Sequence, residues 1–593
     1  MFSIEFPEIN PNEYNHRSYN LVENMRVDSL EISDELVEKL KNYESINFFA
    51  YFDNPIDRLP DNIKSIKWKT SLIYSYNINR LPVNLETLDI SALSSKYNKN
   101  KVLKICRIPD TVKELYLPTD KKVFILNIPK SLETFYLNSQ ELSLELQSDL
   151  MNCTNLKRIS VGSSEGYQIH NFNLAMLPDN LEFLEIISNI SSNLDNLPNK
   201  IKDIRLFMNR INFSLDNLPY SLERLQITSC TVDVFVIQLD FLPINLKELE
   251  IKTTIMDITL TNLPVNLEIL ILTFEENINP NENWLVYPKV LKHLELHLLR
   301  LYYNPLNIQN LKKISEGLPE ELPEGLVELE LDILHLKPNT KLPSSLKYLK
   351  IKNTISRNYT IISDDLELPR ELRYLNLDLN ITLKLKEFPK NLECLIISDV
   401  LESLPKFPES LKTLFIRNYQ IDKPILSLPE NLEHFYFNST DINLNTVSTQ
   451  LFPVLPSNLK SLFIDCVFDK EITLPKNLIS LGIFPRSKER NNKVNEIVQN
   501  IFFNMPDSIE IFSTSVFVPL YKFERLPDNL KELGIKNIKL NRFDFNKFFT
   551  NQGCKFDSSN IKILTLNEHE DIDTFNNYIM DYFDKYDFEY QFI

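Results

Sequence analysis

The apolar positions of this chain recur in one short phrase: an apolar residue, a proline, two variable residues, then leucines and isoleucines at fixed offsets. Written out it is L-P-x-x-L-x-x-L-x-I, seen as LPVNLETLDI from Leu81, LPDNLEFLEI from Leu177, LPYSLERLQI from Leu218, LPENLEHFYF from Leu428 and LPDNLKELGI from Leu526. With any apolar or aromatic residue allowed before the proline, copies start at residues 59, 81, 108, 128, 177, 197, 218, 242, 263, 287, 322, 342, 368, 388, 407, 428, 455, 474, 505 and 526. A proline-free copy, NLKRISV around Leu156, fills the gap near residue 152. The mean spacing is about 23 residues, inside the roughly 20 to 29 of units with one strand per coil and short of ankyrin, TPR or HEAT units.

The last two apolar residues alternate, so they share one face of a short strand while the residues between them face the other way. Proline cannot donate to a ladder and holds the preceding residue extended, so it lies just ahead of the paired stretch. Strands of equal phase one coil apart pair in parallel, because the chain crosses back over each coil. One coil cannot bury its own apolar face, so neighbours stack and stability becomes roughly a nearest-neighbour sum.

Leu181-Leu184-Ile186-Asn189, Ile201-Ile204-Leu206-Asn209, Leu222-Leu225-Ile227-Cys230 and Leu372-Leu375-Leu377-Asn380 match the pattern L-x-x-L-x-L-x-x-N/C. Over roughly residues 20 to 566 the chain therefore resembles the leucine-rich-repeat family. Most other copies lack the Asn, so the asparagine ladder that closes each coil in standard members is incomplete. The L-P start resembles the LPX subtype of secreted bacterial effectors. Low Gly with abundant Asn, Lys and Ile is similar to leucine-rich-repeat proteins of giant amoeba-infecting viruses, or of amoebae. The resemblance implies an α/β-type horseshoe solenoid: one long parallel β-sheet on the concave face, and a mostly irregular or extended convex side with a few short helices.

Three segments follow from the repeats: 1–58, an N-terminal cap with degenerate repeats; 59–540, an array of about 21 coils; and 541–593, a last degenerate repeat with a C-terminal helical cap. Weak copies flank the array at Val27-Leu30-Ile32, Ile46-Phe49-Tyr51 and Ile561-Leu564-Leu566. Helices are expected at 33–42, with Ser33 and Asp34 as caps, and around Leu306-Ile308-Leu311-Ile314. A third is expected at Val494-Ile497-Val498-Ile501-Phe502, and another in the tail after Leu566.

Charge and composition narrow the function. The formal net charge of -17 repels phosphate backbones and anionic headgroups, so neither nucleic acid nor membrane is an expected partner. The opening MFSIEFPEINPNEYN lacks a basic start and apolar run, and no stretch suits a transmembrane helix, so a cytoplasmic protein is expected, in the host cytoplasm if viral. Seven glycines leave no phosphate-cradling loop, and no cofactor or small-molecule substrate is expected. His293-Leu-Glu-Leu-His297 looks like a metal motif, but in a strand its histidines stand about 13 Å apart, so no metal site is expected. The six cysteines form no C-x-x-C pair and read as small core residues; no nucleophile set emerges, and the chain is not expected to be an enzyme.

What remains is a surface for a protein partner. Phe415, Tyr436 and Phe463, with His434 beside them, are expected to stack as an exposed aromatic ladder on the concave face, either as anchors or as cross-strand stabilisers. Glu248, Glu250, Glu295, Glu328 and Glu330 form an acidic set suited to a basic segment, or to solubility alone. The expected function is a non-catalytic protein–protein interaction scaffold or adaptor, the alternative a structural or virion-associated repeat protein.

Overall fold

In a computed structural model, the structure describes residues 3–5, 32–48, 54–68, 76–93, 103–105, 107–118, 123–138, 144–162, 172–187, 194–208, 215–229, 236–239, 241–253, 257–275, 285–299, 321–332, 341–352, 367–378, 387–398, 404–417, 427–438, 454–465, 472–484, 492–514, 527, 529–536 and 562–566. They divide into two compact units, Met1–Gly325 and Leu326–Ile593.

In the first unit one strand per coil runs from Ser45–Phe48 to His293–Leu299, each pairing in parallel with the next. In the second unit the same holds from Glu328–Asp332 to Lys562–Leu566. The register keeps the sequence phase: Leu225 sits beside Leu249, Leu270 and Leu294 in turn, and Leu395 beside Leu414, Phe435, Leu462 and Leu481. These residues and the leucine three places after each proline are almost fully buried, so each coil adds one layer to a continuous apolar core.

The proline does more than end an extended approach. Its carbonyl accepts from the leucine three residues on, as in Leu85 N to Pro82 O at 3.1 Å and Leu432 N to Pro429 O at 3.1 Å, so P-x-x-L is a tight turn. The next residue enters the ladder, with Glu86 N donating to Lys64 O at 2.7 Å.

That turn carries a polar ladder of its own. The Asn in L-P-x-N donates its side-chain amide to a carbonyl of the preceding coil's turn. Asn84 reaches Asp61 O at 2.9 Å, Asn245 reaches Tyr220 O at 3.0 Å, Asn266 reaches Ile244 O at 3.0 Å and Asn431 reaches Glu409 O at 2.9 Å. Serine does the same, Ser410 Oγ donating to Lys390 O and Leu392 O at 2.7 and 2.6 Å. Turn carbonyls that no strand can pair are thus satisfied from the next coil, which gives the repeats a ladder in a different place from the family's N/C position.

The helix Asp34–Leu40 starts at Ser33, whose hydroxyl accepts from Leu36 N at 3.3 Å. The helix Asn492–Phe503 buries Ile497, Val498, Ile501 and Phe502, the last packing on Phe512 with ring centroids 4.9 Å apart. A helix at Leu144–Met151 and a 3-10 turn at Leu174–Met176 were not expected; the buried Gln147 side chain accepts from Asn173 N at 2.8 Å and ties the two together. Short parallel pairs, Leu103–Ile105 with Val123–Ile125 and Val236–Gln238 with Asp257–Thr259, lie apart from the main sheet.

The expected helices around Leu311 and after Leu566, and the flanking positions Val27, Leu30, Phe49 and Tyr51, lie outside the described residues. In the last strand Leu533 pairs with Ile563, not with Leu564 as the apolar spacing suggested.

Candidate binding surface

The side chains that alternate with the core residues form the outer face of each unit's sheet. In the first unit this face carries charged and polar side chains from Arg158 onwards, interspersed with Phe183, Phe207, Ile269 and Ile271; Ser160, Phe183 and Asp203 are buried and most of the others partly exposed. Arg158 and Arg205 lie over the two sides of the Phe183 ring, at 4.0 and 5.2 Å from its centroid. Asp203, nearly buried at 5% exposure, accepts from Arg224 Nε at 3.1 Å and lies 3.4 Å from an Arg205 nitrogen. Three arginines are thereby grouped around one carboxylate and one ring, Arg158 and Arg205 on the strands either side of Phe183 and Arg224 on the next, an array suited to bidentate contacts.

Glu248 and Glu250 stand two strands from Asp203 on the same face. Burial pushes the Glu248 carboxyl up, partly offset by Arg224. Glu295 is held between the two histidines of its own strand, its oxygens 2.7 Å from His293 Nε2 and 2.8 Å from His297 Nε2. Burial alone would raise this carboxyl, but the two imidazole contacts prevail and hold it well below the usual carboxylate range. A carboxyl with a depressed folded-state pKa stabilises the fold above its unfolded value and loses that contribution as pH falls. In urea titrations the stability gap between wild type and Glu295→Gln is therefore expected to be full at neutral pH and to shrink once the pH drops below about 4. A gap independent of pH would contradict the assignment.

In the second unit, Glu328 and Glu330 lie on the outer face of Glu328–Asp332. Glu330 does not present a free carboxylate: it is nearly buried and ion-paired to Lys350, at 3.0 Å, and to Lys352.

Phe415, Tyr436 and Phe463 do stack in register on adjacent strands, with Phe415 and Tyr436 ring centroids 5.5 Å apart. Their expected exposure is corrected: they are 4, 7 and 5% exposed. They form one cluster with Cys394 and Ile396, against which Tyr374 and Phe484 pack. The space is closed because Gly482, next in the row, has no side chain: a Cβ there would lie 2.2 Å from Phe463 Cδ1. Strands so closely spaced let large rings cover one another, which alternation alone could not reveal. His434 is half-buried in the adjoining row, between Thr413 and Ser461.

A second surface escaped the sequence reading, although its signal is there. The residue after the leucine that closes the P-x-x-L turn alternates in charge from coil to coil, from Glu44, Lys64, Glu86 and Lys113 through Glu223, Lys247, Glu268 and Lys292. Each bridging lysine reaches back one coil: Lys113 to Glu86 at 2.8 Å, Lys247 to Glu223 at 2.8 Å, Lys412 to Glu393 at 2.8 Å and Lys460 to Glu433 at 2.5 Å. Hydrogen bonding by its partner lowers the Glu223 carboxyl and raises the Lys247 ammonium. In the second unit this row and the turn residues Ser410, Asn431 and Asn458 line an open groove of about 750 Å³. Lys412→Glu would set like charges in three successive coils. The expected loss is about 0.5–1 kcal/mol at low ionic strength, reduced as salt screens it. A loss unchanged by salt would assign the effect to packing.

Two of the six cysteines lie among the described residues. Cys153 and Cys394 are buried; burial pushes Cys153 up to about 11 and Cys394 higher still. A thiol reagent at mildly alkaline pH is expected to label neither in the folded protein and both after denaturation. Rapid native labelling of either would overturn this placement.

One parallel strand per coil, opened by the L-x-x-L-x-I phrase, defines the class: each unit is a leucine-rich-repeat solenoid. No family model and no curated protein matches the chain. Similar solved structures include YopM from Yersinia enterocolitica, 19% identical, with a TM-score of 0.36, covering 82% of this chain and 96% of that one. TLR13 in its complex with ssRNA13 is 14% identical, with a TM-score of 0.33, covering 79% of this chain and 72% of that one. At such values the fold assignment rests on the chain's own repeat geometry.

Proposed function

We propose that this chain is a non-catalytic protein–protein interaction scaffold, working in the cytoplasm, whose docking surface is the outer sheet face of the first unit. The observation that carries this reading is the half-exposed array of Arg158, Arg205 and Arg224 around Phe183 and Asp203. Arginine and aromatic side chains fixed on a rigid sheet are typical interface anchors, because little side-chain freedom is lost on binding. Glu248 and Glu250 beside them make the face mixed in charge, which favours a protein segment over a polyanion; the chain's net charge of -17 acts in the same direction.

The test is affinity capture on full-length protein against an Arg205→Glu, Arg224→Glu variant checked for folding by circular dichroism. A discrete protein retained by the wild type and lost in the variant supports the reading. Equal retention by both moves the site elsewhere, and nuclease-sensitive retention of nucleic acid refutes the protein partner.

A further inference from the structure

The first variable residue of the turn, x in L-P-x-N, is polar in most coils, as at Asp61, Asp110, Lys130, Asp179 and Asn199. Three successive coils depart from this, with Tyr220, Ile244 and Val265 at that place. They are neighbours in space, since Asn245 binds the Tyr220 carbonyl and Asn266 the Ile244 carbonyl. Tyr220 is 69% exposed, Ile244 47% and Val265 64%, and Phe241 at 70%, Val286 at 50% and Val290 at 45% extend the strip. Scattered apolar residues on a surface are ordinary, but a contiguous strip on one edge marks an interface.

The charges beside the strip say what covers it. In the same four coils the ladder reads Glu223, Lys247, Glu268, Lys292. The two lysines remain more than half exposed and the two glutamates partly so, although Lys247 bridges Glu223 and Lys292 bridges Glu268. Four alternating charges are complementary to their own reversed copy: turned end for end, Lys247 meets Glu268 and Glu223 meets Lys292. The same rotation sets Ile244 against Val265 and the turn of Lys289 against that of Tyr220. The alternation runs along the whole row of the first unit, but only here does it flank an apolar strip, so that strip and charges together match their own reversed copy, whereas a membrane would meet two carboxylates.

We infer that the Tyr220–Val265 edge is the isologous interface of a homodimer, its two-fold axis passing between the coils of Ile244 and Val265. The six apolar residues offer on the order of 600 Å² per copy, about 1,200 Å² in total, at the lower end for a specific complex. The interface lies on the turn edge, separate from the sheet face proposed above for a partner, so either can fail without the other.

The test is sedimentation equilibrium of the full chain. The wild type is expected to be a dimer that dissociates on dilution, and Ile244→Asp with Val265→Asp to be monomeric with an unchanged circular dichroism spectrum. Lys247→Glu alone and Glu268→Lys alone each oppose like charges twice across the axis and should weaken the dimer about tenfold or more. Mixed together, the two variants place opposite charges at both contacts and should recover a heterodimer. A monomeric wild type at all concentrations, a dimer unaffected by the aspartates, or variants that do not complement each other would each overturn the inference. So would a monomeric wild type that binds neutral lipid vesicles through the strip.

Discussion

Phe435→Ala is expected to lower the stability of the second unit by about 3–5 kcal/mol, the range for emptying a fully buried aromatic site. Phe435 is inaccessible to solvent, in register between Leu414 and Leu462, and its ring lies 6.2 Å from that of Phe437. Each coil is stabilised chiefly by its two neighbours, so the damage should be local. Amide exchange should accelerate most in Thr413–Arg417, His434–Asn438 and Ser461–Asp465, and least in strands several coils away. Uniform acceleration across the unit would show that it unfolds as one cooperative block.

The second large effect is a contrast among glycines. A Cβ on Gly162 would lie 2.4 Å from Ile187 Cβ and 2.8 Å from the Ile187 carbonyl oxygen. Those atoms are fixed by the pairing of Gly162 with Ile187, so Gly162→Ala should cost about 3 kcal/mol, near the upper end for overpacking. At Gly482 the obstacles are the side-chain rings of Phe463 and Phe484 and not a paired backbone, so Gly482→Ala should cost less, about 1–2 kcal/mol. At Gly325 the nearest atoms are 4.0 Å away, and alanine there should change stability by no more than about 0.5 kcal/mol. Chemical denaturation of the three variants decides it: equal losses would mean that glycine is lost for backbone freedom and not for space.

The Gly482 result also bears on the aromatic row. Because Phe415, Tyr436 and Phe463 are packed against each other and against Ile396, their triple truncation would empty a cluster and not merely strip a surface. Reversal of Arg205 and Arg224, whose side chains stay half-exposed, is the cleaner probe of docking.

Much of this protein follows from the spacing of its leucines. L-x-x-L-x-I every 23 residues or so allows one arrangement in which all the apolar residues are buried, a parallel stack of coils, and the strands lie where the phrase puts them. The helices at Asp34–Leu40 and Asn492–Phe503 were legible for the same reason, a cap or a 3.6-residue period within a short segment. The alternating Glu and Lys row was also legible in principle, since it occupies a fixed place in the phrase.

Tertiary structure alone decided what the outer face exposes. Alternation assigns a residue to a face, but its accessibility depends on neighbours more than twenty residues away. Phe463 is covered because Gly482 is small, Glu330 is neutralised because Lys350 and Lys352 fall beside it, and Phe183 is enclosed because Arg158 and Arg205 arrive from the strands on either side. Those pairings are fixed by register between coils, a long-range property, whereas the coil itself is fixed by local periodicity. The sequence therefore determined the repeating unit and its stacking, and only the stacked structure determined which of its side chains remain available to a partner.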